Sequence, residues 1–356
     1  MAMTTRRRVL TAAVGSLVLT VLVTAVVVGI RWWRGENRSD LERAMSMAPH
    51  DAQQLSWTDW AGVRDELDLD PGDDPDDDEV THLLDRGFEA DLTQTTALGD
   101  SAVEMQDVLG FSPATVEWEL FSQSEQGAVV MVRLPDSADF EKIIANLSHA
   151  GYAAPDEEGG VWNGGAETLA RIGGITPELG YVVVDEERRL ILSSDDPDYL
   201  EDADADAREE NGPGGLDDVV AATADPLVAA VYTGDHACAK LAMSQAAPVD
   251  QDQAAALVAE AGDVNPLTGF AVAVRPGGDV RVAMSFESDD QARTNADTRA
   301  KLASGPAPGK GGDFADLFGL GEVSADGNTV TMELDPVEGG YAFSALKDGP
   351  VLFATC

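Results

Sequence analysis

The run from Val9 to Ile30 holds no charged residue in 22 positions, and no other feature constrains the fold of this chain as strongly. As a helix it rises about 33 Å, which matches a hydrocarbon core of about 30 Å. Arg6, Arg7 and Arg8 precede it, and Arg31, Trp32, Trp33 and Arg34 follow, as expected where cations and amphipathic rings meet lipid headgroups. The sequence therefore predicts a transmembrane signal-anchor helix over 9–30 behind a cytoplasmic tail, 1–8, with the lipid bilayer as its partner. The alternative is a cleaved signal peptide. Val23-Thr24-Ala25 offers the small residue for cleavage, but a cut there leaves Val26, Val27 and Val28 exposed at the new terminus. Thr5 to Leu10 has the outline of a twin-arginine export signal without its usual lysine, so ordinary insertion is the expected route.

Arginines on the two sides of the span nearly balance, so the positive-inside rule does not decide orientation. Beyond Arg38 the chain carries 64 acids and 17 bases, a net charge of −47, and an inside-negative potential favours placing that charge outside. The expected localisation is the cell membrane, single-pass, N-terminus cytoplasmic and main domain extracytoplasmic. The whole chain has a formal net charge of −42. Nucleic acid is excluded as a partner, because its binding rests on Lys and Arg neutralising phosphates.

After the span, Ser39-Asp40-Leu41-Glu42 reads as a capping box, and short helices are expected there, from Thr58 to near Leu67, and from Glu79 to Ala90. Residues 31–90 thus read as a helical juxtamembrane stalk. Within it Asp65 to Glu79 holds ten carboxylates broken by Pro71, Gly72 and Pro75, a solvated acidic loop. A second acidic stretch, Asp195 to Glu210, ends in Asn211-Gly212-Pro213-Gly214-Gly215, a breaker cluster that separates two modules, 91–211 and 216–356.

The fold class expected for both modules is α+β. In the first, alternation over Thr115–Phe121 and the apolar Ala128–Leu134 form a hairpin. A helix follows over Ser137–Ala150, then a weak strand at Val161-Trp162, then strands at Tyr181–Val184 and Arg189–Leu192. In the second, Gly269–Val274 and Val280–Phe286 form a hairpin and Asp289–Ala303 a helix. A further hairpin turns at Asp326-Gly327-Asn328, and Val351–Ala354 reads as a closing strand. A front extension adds a helix at Leu216–Ala224, a strand at Leu227–Thr233 and a helix from Asp235 carrying Cys238. Hairpin, helix, strand and closing strand recur in the same order, which a duplicated unit explains with one event; two unrelated α+β domains would look similar.

Cys238 and Cys356 are the chain's two cysteines, and in an oxidising compartment they are expected to pair, stapling the chain end to that helix. For chemistry, Asp202, Asp204 and Asp206 begin like a calcium loop, although Ala207 and Pro213 stand where Gly and Glu belong. Asp68, Asp70 and Glu79 match the same pattern in part. His50, His82, His149 and His236 are scattered without metal-ligand spacing. Ser344-Ala345-Leu346-Lys347 matches a Ser-x-x-Lys pair without its companion motifs. Gly305 to Lys310 is one residue short of a phosphate loop and lacks the following Ser or Thr, so it reads as a flexible loop. No cofactor or catalytic residue is expected.

The Arg-rich start, single span, Asp- and Ala-rich body and closing Gly349-Pro350-Val351-Leu352-Phe353-Ala354-Thr355-Cys356 resemble membrane-anchored extracytoplasmic proteins of high-GC actinobacteria. No activity is established for such proteins, so the resemblance implies location only. The expected function is a non-catalytic, membrane-tethered binding or scaffolding protein of the cell envelope, whose ligand is an envelope protein, lipid or glycan. A calcium-binding envelope protein using its acidic loops and a hydrolase with dispersed carboxylates are the alternatives.

Overall fold

A computed structural model describes residues 38–157 and 159–356. The expected tail and membrane span, 1–8 and 9–30, lie outside the described residues. Among the described residues no helix is long and apolar enough to cross a membrane.

The described chain is α+β. Its strands are β1 (Gln54–Thr58), β2 (Trp118–Gln123), β3 (Ala128–Arg133), β4 (Trp162–Asn163), β5 (Tyr181–Asp185), β6 (Leu190–Ser194), β7 (Val228–Thr233), β8 (Gly269–Val274), β9 (Val280–Ser285), β10 (Phe318–Asp326) and β11 (Thr329–Pro336). The helices are α1 (Asp40–Met47), α2 (Trp60–Glu66), α3 (Asp77–Glu89), α4 (Ala102–Leu109), α5 (Phe140–Ala150) and α6 (Gly165–Ile172), followed by α7 (Pro197–Glu209), α8 (Asp217–Thr223), α9 (Gly234–Lys240), α10 (Pro248–Ala261), α11 (Asp289–Ala303) and α12 (Ala342–Lys347).

All eleven strands join one sheet in the order β10-β11-β9-β8-β7-β1-β2-β3-β6-β5-β4. Its centre is β1, which pairs antiparallel with β2 on one side and β7 on the other, Trp57 lying opposite both Leu120 and Ala229. Read outward from that centre, β1-β2-β3-β6-β5 and β7-β8-β9-β11-β10 follow the same course of strand, helices, hairpin, helix and hairpin. The segments expected as modules, 91–211 and 216–356, supply the strands on either side of one continuous sheet, and the central β1 comes from the segment expected as a stalk.

This overturns part of the stalk reading. Helices α1, α2 and α3 lie where expected, and Ser39 caps α1 reciprocally with Glu42, the Ser39 amide donating to Glu42 Oε2 at 2.7 Å. Between α1 and α2, however, Gln54–Thr58 is the central strand. Five residues with a single clear alternation, Leu55 and Trp57 against Gln54, Ser56 and Thr58, carry too little local signal, and the two flanking strands decide the conformation. The acidic loop is also shorter than expected, because Asp76 caps α3 and Asp77, Asp78 and Glu79 form its first turn. Carboxylates there face the positive end of the helix dipole.

Apolar side chains cover both faces of the sheet. On one face α2–α5 and α9–α12 pack over a large cluster that includes Trp60, Met105, Leu147, Phe270, Met284 and Phe343. On the other, α1, α7 and α8 cover Trp57, Trp118, Leu120, Met131 and Leu192, while the small Ala229, Ala271, Ala273 and Ala283 let α8 approach. Residues 351–354, expected as a closing strand, are instead fully buried with a 3-10 turn at Leu352–Ala354. Their carbonyls do not join the ladder. Arg299 of α11 donates to Phe353 O at 2.5 Å, Thr355 O at 2.9 Å and Asn265 O at 2.7 Å, and its Nε donates to Asn295 Oδ1 at 3.0 Å. Burial pushes this guanidinium down to about 9.

Trp57 is 2% exposed, packs 5.4 Å from the Trp118 ring centroid, and donates from Nε1 to Pro226 O at 3.0 Å. Trp57→Ala is expected to lower the unfolding free energy by about 3–5 kcal/mol. In urea titrations the fluorescence and far-ultraviolet signals should shift together, since β1 belongs to both halves. A loss below about 1 kcal/mol, within the range of surface substitutions, would contradict the central place given to β1.

Candidate functional site

The acidic loop between α2 and α3 overhangs a cleft of about 470 Å³, within the size range of small-ligand sites. The floor is apolar, made of Phe111, Ala114, Leu134 and Ile143, all buried. Asp70, Asp73, Asp74 and Asp139 stand at the rim with Arg64 and Lys142. The local sequence builds it simply. Gly110 ends α4 in the left-handed conformation and turns the chain into the floor, and Asp139 caps α5 by accepting from the Lys142 amide at 3.0 Å.

The two cations of the rim are engaged. Arg64 Nη1 donates to Pro113 O at 3.0 Å and Val116 O at 2.9 Å, and burial holds its pKa below the ordinary arginine value despite the acids around it. Lys142 Nζ lies 3.7 Å from Asp74. Ser137 Oγ meets Asp73 Oδ1 at 3.5 Å, and together these two contacts tie the loop to α5 and to the segment just before it. What the cleft presents is an apolar base beneath carboxylates, a surface suited to a cationic group on an apolar body.

The calcium candidates are not brought together. Asp202, Asp204 and Asp206 lie on α7, where a spacing of two turns successive side chains about 200° apart, so the three cannot face one point. Asp202 is exposed, Asp204 pairs with Arg188 at 3.1 Å and Arg208 at 2.9 Å, and Asp206 accepts from His50. Among the described residues no group of three or more His, Cys, Asp or Glu is placed to hold a metal. The signals for α7 were present in Asp196-Pro197, which caps it, and in Leu200, Ala203 and Ala207, which share its buried face.

Three carboxyls are pushed up by burial, and each already has structural partners. Glu119 accepts from Trp60 Nε1 at 3.0 Å, Thr96 Oγ1 at 2.7 Å and the Ala97 amide at 2.7 Å. Asp59 caps α2 through the Gly62 amide at 2.9 Å. Asp91 accepts from the amide and hydroxyl of Ser344, which places the Ser of the Ser-x-x-Lys match in a helix-capping contact. His82 and His149 are exposed on α3 and α5, and His236 stacks on Tyr232. Cys238 and Cys356 form a disulfide, with Cα atoms 5.4 Å apart, joining α9 to the chain end as expected.

No family model matches the chain, and no curated protein matches it. Among solved structures it is similar to one described as crystal form III of TP0453, with a TM-score of 0.41 and 8% identity over 85% of this chain and 97% of that one. Crystal form I of TP0453 gives a TM-score of 0.36 and 7% identity over 87% and 97%.

His50 and Asp206 clasp the turn before β1 to α7, Nδ1 to Oδ2 at 2.7 Å and the His50 amide to the same oxygen at 3.0 Å. The hydrogen bond and charge of Asp206 raise the His50 pKa; burial pushes Asp206 up, but the bonds from His50 and Asn211 outweigh it and hold it low. A raised histidine gives its stabilisation in full below its unfolded pKa and loses it as pH climbs through the folded one. His50→Gln should therefore cost more stability at about pH 5.5 than at about pH 9, on either side of the histidine range. Equal urea-midpoint losses at the two pH values would refute the clasp.

Proposed function

We propose that the protein is a non-catalytic binding module tethered to the outer face of the cell membrane by residues 9–30, with its sheet domain in the envelope. The observation that carries this reading is the Cys238–Cys356 disulfide, because such bonds persist in oxidising compartments and are rare in the cytosol. A hydrophobic span followed by a strongly acidic body supports the same side. The partner is a basic, partly apolar segment of an envelope protein, seated under the acidic loop between Asp70, Asp73 and the floor of Phe111 and Ile143. A lipid or glycan lacking positive charge would leave those carboxylates unanswered.

Binding is favoured over hydrolysis by the engagement of the buried acids. Glu119, Asp59 and Asp91 each accept hydrogen bonds that hold elements together, whereas a hydrolase working with paired carboxyls needs two of them free to meet one substrate. The common course of the two half-sheets supports descent from a duplicated unit, with β1 and β7 as equivalent strands.

Alkaline phosphatase joined behind Cys356 should be active in cells, and a cytosolic fluorescent reporter at the same place should be dark. The opposite pair of results would overturn the location. Replacing both cysteines with serine should lower stability by about 3–5 kcal/mol, the loop-closure value for a ring of this size being near 5. An unchanged unfolding midpoint would deny the bond a role in the folded protein.

A further inference from the structure

The chain contains five lysines, and three of them meet at one residue. Lys347, at the end of α12, places Nζ 2.8 Å from Asp348 Oδ2; Lys240, at the end of α9, places its own 3.4 Å from Asp348 Oδ1. Lys310, from the glycine-rich loop after α11, donates to the Asp348 backbone oxygen at 2.5 Å. The lysines of the two motif matches that led nowhere in the sequence, Ser344-x-x-Lys347 and Gly305 to Lys310, thus converge on one point.

The convergence is built into the backbone. A Cβ on Gly349 would lie 2.0 Å from Lys240 O, and one on Gly309 would lie 2.5 Å from Pro350, so only glycine lets the three segments approach this closely. Gly309 also has φ +83°, a conformation natural to glycine. The Cys238–Cys356 bond fixes α9 two residues before Lys240.

Charge at this point is unbalanced. Three ammonium groups meet at Asp348, two at its carboxylate and that of Lys310 at its backbone oxygen. Asp91 also acts on Lys347, so three ammonium groups stand against two carboxylates, an excess of one positive charge. Each ammonium has three N–H groups, and the protein contacts above engage one of each. Burial lowers the Lys310 pKa, with Asp348 raising it and Lys347 lowering it by smaller amounts, while Lys347 and Lys240 hold Asp348 low against its own burial. The Lys240 and Asp348 side chains remain 40% and 49% exposed, so the cluster opens to solvent.

We propose that Lys240, Lys310 and Lys347 form a binding site for a phosphate group. A phosphate offers more oxygens than one carboxylate, so it can reach all three ammonium groups at once, with Asp348 as the internal competitor that holds the cluster together when the site is empty. The source is either free inorganic phosphate or the phosphate of a lipid headgroup. This site is separate from the cleft beneath the acidic loop and does not depend on how the chain is oriented in a membrane.

The test uses the full chain in a non-ionic detergent and inorganic phosphate as probe, read by isothermal titration and equilibrium dialysis. One equivalent should bind saturably. Lys240→Gln and Lys310→Gln should each weaken binding by about tenfold, the scale of one charge-assisted hydrogen bond. Asp348→Asn should tighten it, whereas Arg293→Gln, on an exposed face of α11, should leave it unchanged. Circular dichroism and unfolding midpoints identify any variant that misfolds, in which case the remaining substitutions decide. Competition by short-chain phosphatidylglycerol at concentrations below those of phosphate assigns the site to a lipid headgroup; failure to compete assigns it to the free ion. Absence of saturable binding, indifference to both lysine substitutions, or weaker binding in a folded Asp348→Asn variant would overturn the proposal.

Discussion

The antiparallel pairing of β1 with β7 is the contact on which the rest of the molecule depends. Val228 to Tyr232 on one side and Glu119 to Gln123 on the other bracket a five-residue strand, so its backbone groups are satisfied only when both half-sheets are present. Short strands have little stability by themselves, and three or more with a hydrophobic face are needed for independence. Placing β1 in the middle turns two modest half-sheets into one surface with an apolar layer on each face. The edges of that surface are left to β4, only two residues long, and to β10, whose side chains are largely exposed and include Glu322 and Asp326. Short or charged edge strands are how sheets avoid pairing with one another.

Two buried charges hold the layers to this sheet. Glu119 projects from β2 and gathers the α2 indole together with the 96–97 segment, and every one of these partners is a donor, as a carboxylate requires. Arg299 does the converse, gathering carbonyls from 265, 353 and 355 with the Phe286 ring 5.3 Å beneath it. Buried charges are tolerated when their hydrogen bonds are complete, and removing one partner leaves an uncompensated ion. The positions of α2 and of the chain end are therefore tied to the sheet by directional bonds as well as by packing.

Elements marked by a local apolar run, a turn or a cap were legible in the sequence. Gly269–Val274 and Asp289–Ala303 coincide with β8 and α11 residue for residue, and Gly151 ends α5 where expected. Elements whose conformation is decided at a distance were not. β1 needed both neighbours, and residues 351–354 looked like a strand because apolarity alone does not reveal that Arg299 takes the place of a ladder. Helix α7 was hidden by its charge, since nine carboxylates between Asp195 and Glu210 draw attention to metal chemistry while Leu200, Ala203 and Ala207 face the core. The cleft and the lysine cluster had no local signature, because each gathers residues from segments far apart in the chain.

The distribution of basic residues follows one rule throughout. In a chain with 65 acids and 23 bases, cations are scarce, and many of the described ones sit at joints between elements. Arg64 ties α2 to residues 113–116, Arg188 bridges the β5–β6 turn to α7, and Arg275 and Arg281 converge on Glu333 across β8, β9 and β11. Most of the carboxylates that remain face water, where mutual repulsion keeps copies of the protein apart. A cation already engaged by backbone carbonyls or acids cannot also neutralise that outer field. The surface thus stays negative except where joints are oversupplied, as at Asp348, and in such a field an excess of one ammonium group over the carboxylates of Asp348 and Asp91 is a local reversal of sign that an anion of matching size can detect.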